Sequence, residues 1–274
     1  MKHPKLGRQA AWLVLGLAPT LAQAQELKTA DEYRAALQDK FANPATVVAD
    51  QGEVLFKKAR GPRNVSLEKC DFGKGAGVLK GAYAELPRYF KDTDKVEDLE
   101  SRLVTCMVNL QGFSAEEIKK KTFADQRANE ANTELEAMAV YVSLQSDGMK
   151  LNPPLKHAKE KEARDVGEAL FFTRHGPMDF SCATCHGNDG KRIRLQELGN
   201  YAGNKADARK TMMTWPTYRV SHGAARNLQH RMWDCNWQMR LPDLGYASPA
   251  SVAFISYLAH QAKGAELNIP GIKR

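Results

Sequence analysis

Apolar residues recur at helical spacing through two stretches, Thr133 to Ser146 and Pro249 to Ala262, and both predict helices with a buried face. Ser248 and Pro249 read as an N-cap followed by a proline at the first helical position. Gly148 and Gly264 stand where C-terminal caps are expected. The stretches Gly52 to Lys58 and Gly167 to Thr173 read as the last parts of two more helices. Few segments alternate with a period of two, so strands should be scarce. The pattern predicts a mainly α protein whose two parts meet at the proline-containing connection Leu151-Asn152-Pro153-Pro154-Leu155.

The two parts are copies of one another at low similarity. At an offset of 115, Gly52-Glu53-Val54-Leu55-Phe56 matches Gly167-Glu168-Ala169-Leu170-Phe171, Cys70 falls on Cys185 and Gly75 on Gly190. At an offset of 129, Pro87, Tyr89, Leu99, Arg102 and Cys106 fall on Pro216, Tyr218, Leu228, Arg231 and Cys235. At an offset of 116, Tyr141, Gln145, Gly148, Leu151, Asn152 and Pro154 fall on Tyr257, Gln261, Gly264, Leu267, Asn268 and Pro270.

Composition places the chain outside the cytoplasm. Lys2, Lys5 and Arg8 precede a mostly apolar run from Ala10 to Leu21, and Ala22-Gln23-Ala24 is a small-x-small cleavage site. Residues 1–24 therefore read as a secretory signal, too short and too interrupted by Pro19 for a membrane span. The expected location is the periplasm, with no membrane attachment after cleavage. The net charge of +8 falls to +5 beyond the signal. Lys and Arg are spread along the chain without a stacking motif, which argues against nucleic acid.

Cys182-Ala183-Thr184-Cys185-His186 is the pattern for c-type haem attachment. Two thiols on one side of a helical turn add to the haem vinyl groups, and the next imidazole meets the iron. Together with the repeat, this predicts two tandem cytochrome c-like domains, residues 25–152 and 153–274, with one covalently bound haem c in the second. In the first copy Leu67 falls on Cys182 and Asp71 on His186, so that domain should be haemless. Of the five cysteines, Cys70 and Cys106 are the repeat-mates of a haem thiol and of Cys235. With no haem between them they can close on one another, and a Cys70–Cys106 disulfide is expected.

That pairing isolates Cys235 as a second axial ligand, against Met212, Met213, Met232, Met239, His222 and His230 as ordinary alternatives. Arg231 lies four residues earlier, on the same helical face, and a guanidinium there can hold an oxyanion. Arg192 and Arg194 are expected at haem propionates or solvent, and His175, Trp215, Trp233 and Trp237 in packing. A plain periplasmic electron-transfer cytochrome c, a haem peroxidase and a docking subunit remain alternatives. The peroxidase is disfavoured by the single attachment motif.

The haem motif together with Arg231-Met232-Trp233-Asp234-Cys235-Asn236-Trp237-Gln238-Met239-Arg240 resembles the SoxA family of bacterial sulfur oxidation. The segments Gly81 to Phe90 and Glu100 to Gly112 are similar to that family too. The resemblance implies an L-cysteine S-thiosulfotransferase that couples thiosulfate oxidatively to a cysteine of the carrier SoxYZ. Electrons would pass through haem to the SoxX cytochrome, the partner in a heterodimer. It also implies that His186 and Cys235 are the axial iron ligands, that Cys235 carries a catalytic persulfide, and that Arg231 binds the anionic substrate. Many members carry a second, N-terminal haem, whose attachment motif this chain lacks.

Overall fold

A computed structural model of the chain describes residues 32, 39, 42–123, 132–193 and 196–273. The signal read at residues 1–24 and Arg194 lie outside the described residues. Among those described, no helix is long and apolar enough to cross a membrane.

The architecture is mainly helical, and both halves share the order helix, hairpin, helix, helix, with different insertions between them. The first half runs from α1 (Ala45–Lys57) through a hairpin of β1 (Arg88–Phe90) and β2 (Lys95–Glu97) to α2 (Leu99–Cys106). A π-helical turn over Met107–Gln111 follows, then α3 (Ala115–Phe123) and α4 (Glu134–Leu144). The second half runs from α5 (Ala158–Phe172) to the short α6 (Cys182–His186), then the two-residue strands β3 (Arg192–Ile193) and β4 (Gln196–Glu197), and α7 (Lys205–Met212). The hairpin of β5 (Thr217–Arg219) and β6 (Ala224–Arg226) leads to α8 (Leu228–Gln238), α9 (Pro249–Gln261) and β7 (Gly271–Lys273). β7 adds to β5 in parallel, with Arg219 opposite Lys273. Among the described residues no strand exceeds three residues, as the lack of alternation predicts.

The repeat is visible in local chemistry. Asp98 caps α2 and its mate Asn227 caps α8, each side chain accepting an amide N–H at 2.8 Å. Thr133 caps α4 and Ser248 caps α9, both at 3.1 Å. Such caps satisfy amides that have no partner inside the helix. In each half the first helix crosses the last at a glycine. A Cβ on Gly52 would lie 2.0 Å from the Ala137 carbonyl oxygen, and one on Gly167 would lie 2.0 Å from that of Ala253. Only glycine permits that approach, so both crossings depend on its missing side chain.

The halves pack through a pseudo-twofold exchange of backbone hydrogen bonds. The Gly148 N–H donates to Leu267 O and the mated Gly264 N–H to Leu151 O, at 2.8 and 2.7 Å. Leu151 N–H reaches Ala265 O and Leu267 N–H reaches Met149 O, both at 2.8 Å. This corrects the expected role of the two glycines. α4 and α9 are C-capped by Gln145 and Ala262, and Gly148 and Gly264 turn at positive φ into the exchanged segments. Buried polar pairs complete the interface. Arg226 Nη1 donates to Glu136 at 2.9 Å with both side chains almost fully buried, and Gln229 donates to Asp98 at 2.6 Å. Apolar cores fill each half. The first centres on Phe56, Phe72, Leu103 and the two half-cystines. The second centres on Phe171, Trp215, Met232 and Tyr257.

Candidate functional site

α6 presents the attachment motif. Ser181 opens it with a capping box to Thr184, which fixes the turn that brings Cys182 and Cys185 to one side. Both thiols are free and partly buried. Burial, with the nearby Cys235 and Cys185, pushes Cys182 up to about 12, so it remains a neutral thiol near pH 7. His186 Nδ1 lies 2.8 Å from Gly199 O. A carbonyl only accepts, so Nδ1 carries the proton and Nε2 keeps a free lone pair. Burial lowers His186 from its ordinary value, Gly199 opposes this, and the Arg231 charge adds to the lowering. The result is the neutral imidazole that a metal ligand must be.

α8 supplies the other side. Its N-cap Asn227 sets the helix phase, and the four-residue spacing puts Arg231 and Cys235 on one face. Cys235 is a free, partly buried thiol whose charge acts on Cys182 and which itself feels Cys185. Burial raises Cys235, while Arg231 and Arg219 pull it back down and Asp234 opposes them. Arg231 Nη1 donates to Asp234 at 2.7 Å, and Gln238 Nε2 donates to the other oxygen of Asp234 at 2.6 Å. The guanidinium is thus held in place with 26 % of its side chain still accessible. The structure therefore brings Cys182, Cys185, His186, Arg231 and Cys235 together. An imidazole with a free Nε2, two thiols on a capped turn and a third thiol within their electrostatic reach form a donor set that fits haem c.

The other ligand candidates lie around the same site, and Cys182 packs against the apolar core that holds two of them. Met212 and Met232 are buried in the second apolar core. His222 accepts from Arg226 Nε at 3.4 Å. His230 is pushed down to about 2 by burial and neighbouring arginines. Trp215 is buried as expected, but Trp237 is 52 % exposed, against the packing role expected for it. Arg192 is exposed on β3.

The equivalent place in the first half is closed. Cys70 and Cys106 form a disulfide with Cα atoms 5.7 Å apart. Leu67, at the Cys182 position, is fully buried, and so is Phe72, at the Gly187 position. Asp71, at the His186 position, accepts the Gly73 and Gly75 N–H groups at 2.7 and 2.9 Å. Arg102, the mate of Arg231, is spent on structure. It meets Asp92 at 2.9 Å and Glu97 at 3.1 Å, donates Nε to Asp71 O at 2.6 Å and lies 4.0 Å over the Phe90 ring.

Sequence reasoning missed three groups at this site. Asp234 lay three residues from Arg231, a spacing that predicts contact on a helix. Arg219 was detectable as the residue at the Phe90 position of the repeat. Lys273 carried no sequence signal, because a parallel strand pairing brings it in.

The family model described as "SoxA/TsdA, cytochrome c domain" matches residues 51–151 and 166–267, the two spans that the repeat relates. The L-cysteine S-thiosulfotransferase subunit SoxA of Hydrogenophilus thermoluteolus is 44% identical over 262 residues, covering 94% of this chain and 93% of that protein. The protein of the same name from Hydrogenobacter thermophilus is 34% identical over 252 residues, covering 92% of this chain and 89% of its own length. The crystal structure of SoxXA from P. pantotrophus contains a similar fold, with a TM-score of 0.71 at 24% identity, over 89% of this chain and 84% of that one.

Proposed function

The chain belongs to the SoxA/TsdA cytochrome c family, and from that premise we propose that it joins thiosulfate oxidatively to a carrier-protein cysteine at Cys235. It is an L-cysteine S-thiosulfotransferase subunit, as its relatives are. The observation that carries the site assignment is the placement of Arg231 and Cys235 on one face of α8, within electrostatic reach of Cys182, Cys185 and His186.

In this reading Cys182 and Cys185 would hold one haem c covalently, and His186 and Cys235 would ligate its iron. When bound, the haem supplies the acceptor through which two electrons leave, toward a SoxX-type partner subunit. The protein groups do the rest. Arg231, fixed by Asp234, holds the sulfonate end of thiosulfate. The Cys235 sulfur, alone or extended as a persulfide, forms a sulfur–sulfur bond to the outer sulfur of thiosulfate as two electrons depart. The thiolate of the SoxYZ carrier then attacks that outer sulfur. The bond to Cys235 breaks, Cys235 returns as an anion, and the carrier keeps the S–S–sulfonate group. The carrier thiol's proton goes to solvent. Residues 1–24 are a signal sending the chain to the periplasm, and residues 25–152 form a haemless domain stapled by Cys70–Cys106.

Holoprotein assembled with its partner subunit, given thiosulfate and reduced carrier, should add a thiosulfonate mass to the carrier cysteine as haem becomes reduced. Haem reduction without carrier modification would point instead to a simple electron carrier.

A further inference from the structure

The pseudo-symmetry shows how an arginine site changes from a structural one to a receptive one. In the first half Arg102 is enclosed by Phe90, Asp92 and Glu97. The corresponding residues around Arg231 are Arg219, Ser221 and Arg226. Two acids and an aromatic ring have given way to a hydroxyl and two cations. Of those cations Arg226 is neutralised by Glu136. Arg219 has no such partner: its Nε is buried without a hydrogen bond, and Asp234 acts on it only through space. Lys273 pairs with it across the β5–β7 ladder, and the Lys273 ammonium lies 5.7 Å from the Trp215 ring centroid. Among the described residues neither side chain has an ion pair.

Unpaired cations at partly buried positions are expensive unless an anion joins them. Burial and the mutual charge of Arg219, Arg231 and Lys210 lower Lys273 to about 8. Burial and Arg231 lower Arg219 to about 10, so both remain mainly charged at neutral pH. The charge of Arg219 also acts directly on Cys235.

We propose that Arg219 and Lys273 complete an anion subsite with Arg231, which takes the sulfonate end of a sulfur oxoanion whose outer sulfur meets Cys235. This deepens the proposed function and rests on it. Arg231 alone, already bonded to Asp234, offers one shared guanidinium to a dianion. Arg219 brings a second, uncommitted one, and Lys273 adds charge from behind. The subsite thereby favours a doubly charged substrate over singly charged or neutral sulfur compounds.

The test is calorimetric binding of thiosulfate to oxidised holoprotein at fixed ionic strength, beside the visible haem spectrum. Arg219→Gln should weaken binding about tenfold and Lys273→Gln about threefold, with the spectrum and haem content unchanged. Arg219→Lys should recover part of the loss and keeps the test valid if the glutamine variant folds poorly. Wild-type binding that is matched by Arg219→Gln would overturn the subsite and leave the proposed function standing. Altered haem content with unaltered thiosulfate binding would mean that these cations serve haem carboxylates, and would also overturn it. A wild-type holoprotein that binds no thiosulfate would overturn both readings.

Discussion

The two halves of this molecule share a backbone plan and differ in what fills its centre. In the first, Leu67, Phe72 and the Cys70–Cys106 bond occupy the middle, and Arg102 is buried, its side chain 5% exposed, and paired with the buried Glu97 and the exposed Asp92. In the second, Cys182, Gly187, Cys185 and Cys235 stand at the corresponding positions, the cysteines are free, and Arg231 keeps an accessible face. In the proposed reading a handful of side chains decides whether the same scaffold is a stapled support or a reactive centre. The arginine is informative because it is common to both. Its role follows from its neighbours and not from its presence.

The largest expected effect breaks the reactive half. Cys235→Ser should lower thiosulfate coupling by about a thousandfold or more, with haem still attached through Cys182 and Cys185. Coupling assays beside haem content check this. Next, the double variant Cys70→Ser, Cys106→Ser should cost about 2–4 kcal/mol of stability. Denaturant unfolding of the holoprotein would show it, while coupling at permissive temperature stays near normal. The contrast between these two variants is the sharpest form of the comparison. A smaller change comes from Arg231→Gln, expected to reduce kcat/KM by about 10–100-fold without altering stability much, measured by steady-state kinetics.

The smallest tests the interface. Glu100 is buried, and burial followed by the charge of Asp98 holds its pKa well above the ordinary value. A carboxyl raised on folding contributes fully below its unfolded pKa of about 4.3 and loses that contribution as pH rises through the folded value. Its repeat-mate is Gln229. Glu100→Gln should therefore raise Tm at pH 8 by about 2–4 °C and change little at pH 4, as read by thermal melts across that range.

Much of this was legible in the sequence because it is local. Helical periodicity, the Ser248-Pro249 start and the attachment motif each act over a few residues. The repeat extended their reach by carrying information from one half to the other, and so singled out Cys70, Cys106 and Cys235. What escaped was long-range. The exchange between Gly148–Leu151 and Gly264–Leu267 has no local signature, so the two glycines looked like caps. Lys273 comes beside Arg219 only through a parallel pairing of residues 54 positions apart. Trp237 lies on α8 near the site yet faces outward, because helical phase decides exposure and a tryptophan in a cytochrome motif suggests packing.

The central claim is that one half carries the chemistry and the other only supports it. Intact-mass analysis of the natively purified holoprotein, followed by non-reducing peptide mapping, tests it most directly. The account predicts one haem, confined to the peptide containing Cys182 and Cys185, a linked Cys70–Cys106 peptide pair, and any additional sulfur on Cys235 alone. A second haem, an alkylatable Cys70 or Cys106, or a Cys235 bonded to either of them would contradict it.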